Sequence, residues 1–239
     1  MNTLIKERPI LFSGAMVHAL QAGTKTQTRR TLKVTPRCSS GCIPYRADNG
    51  KHFRFPVSPE DFKKLPKAMR QDERSEGCYY YGASPYGEPG DRLWVKETFS
   101  AYAGEDLGAQ VIYRADEPLP HLGQKWQPSI FMPRKHSRIL LEVVSVRVER
   151  LQDISEADAK AEGYGGYMDF YDLLDVEDKR SFDLMNEDWD DFAMRKGFTY
   201  PIEWYHMLWD KINGVNAWQA NPWVWVVEFR RIQEGGEQL

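Results

Sequence analysis

The sequence predicts an α+β fold: a small mixed β-barrel with helices at its rim and two insertions. Three observations carry that expectation. Segments with strand character outnumber those with helix character. Long irregular stretches separate the strands, which argues against a regular βαβ array. The two clearest segments, "SRILLEVVSVRVERL" (137–151) and "NPWVWVVEFRRI" (221–232), alternate with the two-residue period of strands. The 239 residues are 41% hydrophobic, enough to bury a sizeable core in a single domain over 1–239, with insertions at about 34–85 and 165–200.

From the N-terminal side, "RPILFS" (8–13) reads as a short strand. Gly14 to Ala22 follows as a helix, with Met16, Val17 and Leu20 at helical spacing, Ser13 as its N-cap and Gly23 as its stop. The threonine-rich stretch 26–32 favours an extended chain. Prolines, glycines and charges interrupt any period in 34–85, which reads as an irregular lid with one short helix near 59–70. Pro89-Gly90 signals a turn, after which 92–102 and 109–116 read as strands. In the long strand, Val144, Val146 and Val148 share one face, and Ser145, Arg147 and Glu149 the other. Ser155 and Gly163 bracket a short helix over 156–162. The acidic, aromatic stretch 165–195 reads as a second insertion, partly helical. Residues 200–213 form an amphipathic helix with Ile202, Tyr205, Leu208, Trp209 and Ile212 on one side. In the closing strand Trp223, Trp225, Val227 and Phe229 share one face, and Val224, Val226 and Glu228 the other.

No apolar run approaches the roughly 18 residues of a membrane span, and no signal-peptide stretch follows the first charges. Three cysteines, an odd number, do not indicate a disulfide framework, so a cytoplasmic protein with no membrane partner is expected. The net charge of −3 hides an asymmetry. Residues 1–150 carry 24 Lys and Arg against 16 Asp and Glu, whereas 151–239 carry 8 against 19. A basic first part suits a polyanionic partner, and equally suits attraction between the two parts. No Walker loop, GxGxxG, HExxH or GxSxG motif is present. Cys38, Cys42, His52 and Cys78 could supply four zinc ligands, although three free thiols in an insertion is the simpler reading. Trp126 lies in a loop with Lys125, Arg134, Lys135 and His136, where an aromatic beside cations suits a nucleic acid. Glu97 follows Lys96 in an alternating pattern, so one of the two faces inward. A buried Glu97 needs a partner such as Arg30.

The densest polar cluster is "GTKTQTRR", Gly23 to Arg30. Taken alone it reads as a solvated edge strand or turn, with threonines favouring the strand and cations protecting its edge. Its order among later segments changes that reading. Gly23, Lys25, Thr28 and Arg30 stand as G-x-K-x-x-T-x-R after a helix. "GDRLWV", "LQDISEADAKAEGY" and "VWVVEF" follow in turn. This series resembles the ASCH domain family of the PUA-like superfamily, in a long form of the kind found in bacteriophage and prophage genomes. The resemblance covers roughly residues 8–33, 86–102, 137–163 and 220–232, less than half the chain.

The resemblance implies a PUA-like barrel and a pocket for a modified nucleoside or RNA, with DNA as a variant partner and no cofactor. It implies most specifically an amidohydrolase that removes an acyl group from N4-acylated cytosine. Lys25, Thr28 and Glu162 would be the catalytic set, with Gly23, Arg29, Arg30, Glu97 and Trp126 as candidate binding residues. A non-catalytic RNA- or DNA-binding module, or a ribonuclease, would use the same pocket. The residue types suit amide hydrolysis. A threonine hydroxyl needs a base to take its proton, and a lysine serves if burial or a nearby cation such as Arg29 or Arg30 lowers its pKa. Glu162 would orient the amine or protonate the leaving nitrogen, while opposing the lysine's shift. Residues three apart point to opposite faces of a regular strand. Lys25 and Thr28 therefore converge only if the chain turns or bulges between them, or if Lys25 belongs to the turn after Gly23.

Overall fold

The computed structural model describes residues 4–32, 45–46, 53–57, 70–71, 78–104, 108–116, 125–165 and 201–232. Strand β1 (Glu7–Leu11) leads into helix α1 (Gly14–Ala22). The Ser13 hydroxyl accepts from the Met16 N–H, and Gly23 takes a left-handed φ of 77° that ends the helix, so both caps sit where the residue types demand them. Strand β2 (Gln27–Thr31) follows.

Four strands occupy the segment that reads from sequence as irregular: β3 (Tyr45–Arg46), β4 (Phe53–Val57), β5 (Arg70–Gln71) and β6 (Cys78–Gly82). They form a separate antiparallel sheet in the order β3-β4-β6-β5. "FRFPV" and "CYYYG" are aromatic-rich strand formers, masked in the sequence by the prolines and charges between them. Of the expected short helix near 59–70, residues 59–69 lie outside the described residues, and Arg70 belongs to β5. The second insertion, from 166 to 200, also lies outside them.

The expected strand 92–102 is two strands. Strand β7 (Arg92–Lys96) joins the main sheet, and β8 (Phe99–Gly104) forms a hairpin with β9 (Gly108–Tyr113). The break falls at Glu97, whose buried carboxylate is drawn to Arg138 instead of continuing the ladder. Strand β10 (Leu140–Arg150) carries a bulge. Val143 pairs with Phe229 and Ser145 with Glu228, leaving Val144 unmatched and 49% exposed. The expected face of Val144, Val146 and Val148 is therefore corrected: Val143 and Val146 are buried, because one extra residue flips the alternation.

Helix α2 (Glu156–Ala161) is capped by the Ser155 hydroxyl, which accepts from the Asp158 N–H. Helix α3 (Ile202–Asn213) buries Trp204, Tyr205 and Trp209. Trp204 was not in the expected apolar set, and Ile212, which was, is 52% exposed at the rim of a cavity. Strand β11 (Trp223–Ile232) closes the described chain.

The five-stranded sheet runs β1-β7-β10-β11-β2, parallel between β1 and β7 and antiparallel elsewhere. Its two faces explain the apolar run of β11. Trp223, Trp225, Val227 and Phe229 pack with Phe12, Val17, Leu20, Leu93 and Leu141. Val224 and Val226 pack on the other side with Leu151, Trp204, Tyr205 and Trp209. A strand covered on both sides needs apolar residues at every position. The architecture is α+β. Among the described residues the sheet is open, not a closed barrel: β1 and β2 are its edges and do not pair with each other. They approach closely enough that Arg30 on β2 donates to the Leu11 carbonyl on β1 at 2.7 Å.

Candidate active site at the β2 edge

Half of the polar cluster Gly23 to Arg30 is interior, while Gly23, Thr24 and Thr26 are exposed. Lys25, Gln27, Thr28 and Arg29 are all buried. The turn at Gly23 places Lys25 ahead of β2, where it forms an isolated antiparallel bridge with Glu162, and the Thr26 N–H donates to the Ala161 carbonyl at 2.9 Å. Helix α2 delivers Glu162 as its C-cap, and Gly163, at φ 107°, turns the chain away. A Cβ on Gly163 would lie 3.0 Å from the Ala19 Cβ and 3.2 Å from the Lys25 Cβ, so the close approach needs glycine.

The Lys25 ammonium donates to the Glu162 carbonyl oxygen at 2.7 Å and to its Oε2 at 2.9 Å. Arg29 holds the other carboxylate oxygen, with NH1 at 3.2 Å from Oε1. Arg29 in turn is gripped by Glu149 and by Asp158, whose Oδ2 lies 3.1 Å from NH2. Arg147 crosslinks the outer acids, pairing with Glu149, Asp158 and Glu228. It also donates to Gln27 Oε1 at 3.3 Å. The network thus runs from solvent inward: Arg147, then Asp158 and Glu149, then Arg29, then Glu162, then Lys25.

Burial shapes its titration. Desolvation pushes the Lys25 pKa below the ordinary lysine value; Glu162 opposes the shift, while Arg30 and Arg29 add to it. Burial also disfavours the charged Arg29, but Glu162 and Glu149 outweigh it and hold its pKa above the usual value. Asp158 loses solvent too, yet Arg147 and Arg29 hold its carboxyl below the usual range.

A cavity of about 240 Å³ lies beside this network. Thr28, Arg29, Arg30 and Thr31 of β2 line one wall. Tyr86 and Met16 flank it, and Glu162 with Tyr205, Leu208, Trp209, Ile212 and Asn213 completes it. Thr28 and Glu162 both reach the cavity, while Lys25 stands behind Glu162 with no exposed side-chain surface. Lys25 makes no hydrogen bond to Thr28. Arg30 lies over the Phe12 ring at 5.3 Å from its centroid. It has no ion-pair partner among the described residues. Burial pushes the Tyr86 and Tyr205 hydroxyls above the ordinary tyrosine value, Tyr205 well above it, keeping both protonated as donors.

Three expected binding residues do not line the cavity: Gly23, exposed at the end of α1, Glu97 and Trp126. Glu97 is buried, but its partner is Arg138, at 2.8 and 2.9 Å, not Arg30. Arg138 also pairs with Asp116 and lies 3.9 Å over the Tyr113 ring, so this is a second, separate ion cluster. Trp126 does not line the cavity, and its buried Nε1 has no hydrogen-bond partner among the described residues. Cys38, Cys42 and His52 lie outside the described residues, and Cys78 lies in β6. Among the described residues, no group of three or more His, Cys, Asp or Glu is placed to hold a metal ion. None of the described helices is long and apolar enough to cross a membrane.

Asp158 and Glu149 are site residues that sequence reasoning missed. A signal existed for Asp158: it stands three residues after the Ser155 N-cap, one helical turn from Glu162. Comparison with protein-family profiles, curated proteins and solved structures gives no match.

Proposed function

We propose that this cavity is the active site of an amidohydrolase that removes the acyl group from an N4-acylated cytosine nucleoside, in an ASCH-like, PUA-like chain. One observation carries the reading: Thr28 and Glu162 meet at one cavity, with the buried Lys25 amine hydrogen-bonded directly behind Glu162. The volume of about 240 Å³ falls below the roughly 300–1,000 Å³ of drug-sized ligand sites, which suits a nucleobase better than a folded polymer.

In this reading, substrate binding draws the Lys25 amine from Glu162 Oε2 to the Thr28 hydroxyl. Thr28 Oγ1 attacks the acyl carbon as its proton passes to Lys25. The C–N bond then breaks, the N4 nitrogen takes a proton from the Lys25–Glu162 pair, and water releases the acyl group from Thr28. The lowered Lys25 pKa supports the base role, because a neutral amine is available nearer to neutral pH. A second reading, non-catalytic binding of a nucleoside or RNA, draws support from the missing Lys25–Thr28 hydrogen bond.

Chromatography of N4-acetylcytidine incubated with the wild type, Lys25→Ala and Thr28→Val separates the two. Conversion to cytidine by the wild type alone supports hydrolysis. Retained binding without conversion by any form would leave the binding module, and neither binding nor conversion would sink both.

A further inference from the structure

The cavity meets β2 edge-on. Four consecutive residues, Thr28 to Thr31, line it, which a strand allows only where its edge and not a face forms the wall. The hydrogen-bond phase of that edge follows from its ladder with β11. The Phe229 N–H donates to the Thr26 carbonyl and the Leu32 N–H to the Trp223 carbonyl, both at 2.9 Å. Between them the register pairs Thr28 with Val227 and Arg30 with Trp225. In an antiparallel pair, alternate residues turn both main-chain groups to the partner. Thr28 and Arg30 therefore face β11, and the N–H and C=O groups of Arg29 and Thr31 face outward. Among the described residues β2 is the last strand of its sheet, and no further strand takes those groups.

An outward C=O and the outward N–H two residues on form an acceptor beside a donor along an extended chain. Their complement is a flat ring with an exocyclic N–H next to an unprotonated ring nitrogen. Cytosine carries that edge at N4 and N3, and keeps it when N4 bears one substituent. We infer that β2 reads its ligand through the main chain, the Arg29 carbonyl accepting from N4–H and the Thr31 N–H donating to N3 of a cytosine with at most one N4 substituent. This rests on the nucleoside reading above and adds its specificity. The volume of about 240 Å³ admits a ring but not an added β-strand, the other occupant of a free edge.

Calorimetric titration of the full chain with cytidine, N4-methylcytidine and N4,N4-dimethylcytidine tests this, since none carries an acyl group to hydrolyse. Cytidine and N4-methylcytidine should bind alike, and the dimethyl compound, with no N4–H, at least about ten-fold more weakly. Thr31→Pro deletes the outward N–H without removing a ladder bond, at an edge position where proline is tolerated. It should weaken cytidine binding by a similar factor. Dimethylcytidine binding as tightly as cytidine overturns the inference, as does a folded Thr31→Pro variant that binds like the wild type. The dimethyl comparison uses wild-type protein, so it decides even if the proline variant fails to fold. A wild type that binds none of the three nucleosides removes the nucleoside reading itself, which distinguishes the two failures.

Discussion

Replacing Glu162 by glutamine strands a buried cation, and the size and pH dependence of the damage follow from the geometry. The carboxylate is 3% exposed and faces Lys25 at 2.9 Å and Arg29 at 3.2 Å. Arg29 keeps Glu149 and Asp158, but Lys25 keeps only the Glu162 carbonyl. Removing one partner of a buried pair costs about 3–5 kcal/mol, a large share of the roughly 5–15 kcal/mol of an ordinary domain. Lys25 has an escape, because it can lose its proton. Its folded pKa already lies below the ordinary value, and Glu162 is the group that raises it. In the variant the folded pKa therefore falls further, while the unfolded value stays near about 10.4. Between those two values the unfolded chain binds more protons, so stability rises with pH, by up to about 1.36 kcal/mol per unit for one proton. The rise ends at the ordinary lysine value and starts at lower pH in the variant than in the wild type. Urea unfolding followed by tryptophan fluorescence at pH 7 and pH 9 reads this directly. Glu162→Gln should lose about 3–5 kcal/mol at pH 7 and measurably less at pH 9. The double variant Lys25→Met, Glu162→Gln should recover much of the loss, because a neutral side chain replaces the stranded ammonium beside Phe12. An equal loss at both pH values, or a double variant no more stable than the single one, would refute the reasoning.

Three further outcomes are expected. Gly163→Ala should destabilise the protein by about 1–3 kcal/mol, by strain at φ 107° and crowding of Lys25, and should lower any cytidine-forming activity, checked by unfolding and the chromatographic assay. Glu97→Gln should cost about 2–3 kcal/mol through the loss of its paired contact with Arg138, yet leave nucleoside binding unchanged, since Glu97 lies outside the cavity. Asp158→Asn should flatten part of the acid limb of stability. The wild-type carboxyl is held below its usual value, so its contribution is full above the unfolded value of about 3.9 and is lost as pH falls through the folded one, which a pH series of unfolding midpoints would show.

Local signals in the sequence mapped onto the fold where one residue dictates one conformation. Ser13, Gly23, Ser155 and Gly163 set helix ends through caps and positive φ, and each lies where expected. The alternation of β11 was legible for the same reason, since each position meets one core or the other. The bulge at Val144 was not legible, because nothing in the run "VVSV" (143–146) marks which residue is unpaired. The sheet within 45–82 was hidden because its strands are short and its prolines and charges dominate any window. In the site, Lys25, Thr28 and Glu162 came from a motif resemblance, and their shared neighbourhood depends on a bridge between residues 137 apart. The sequence offers Arg29 as a binding residue and as a cation near Lys25. It is the hub of three carboxylates, Glu149, Asp158 and Glu162, and only the packing of α2 against β2 reveals that.

The placement of β11 between β10 and β2 has a consequence for biosynthesis. Strand β2 is made early, and its ladder partner lies about 190 residues later in the chain. At roughly 5–20 residues per second, translation leaves β2 without that partner for on the order of ten to forty seconds. Throughout that interval both of its edges are open, and the cations at 25, 29 and 30 are what stands between a nascent strand and unwanted pairing. Lys25 and Arg29, which the finished fold buries, would thus first act as solubilising groups, and β2 gains its ladder only after β11 has emerged.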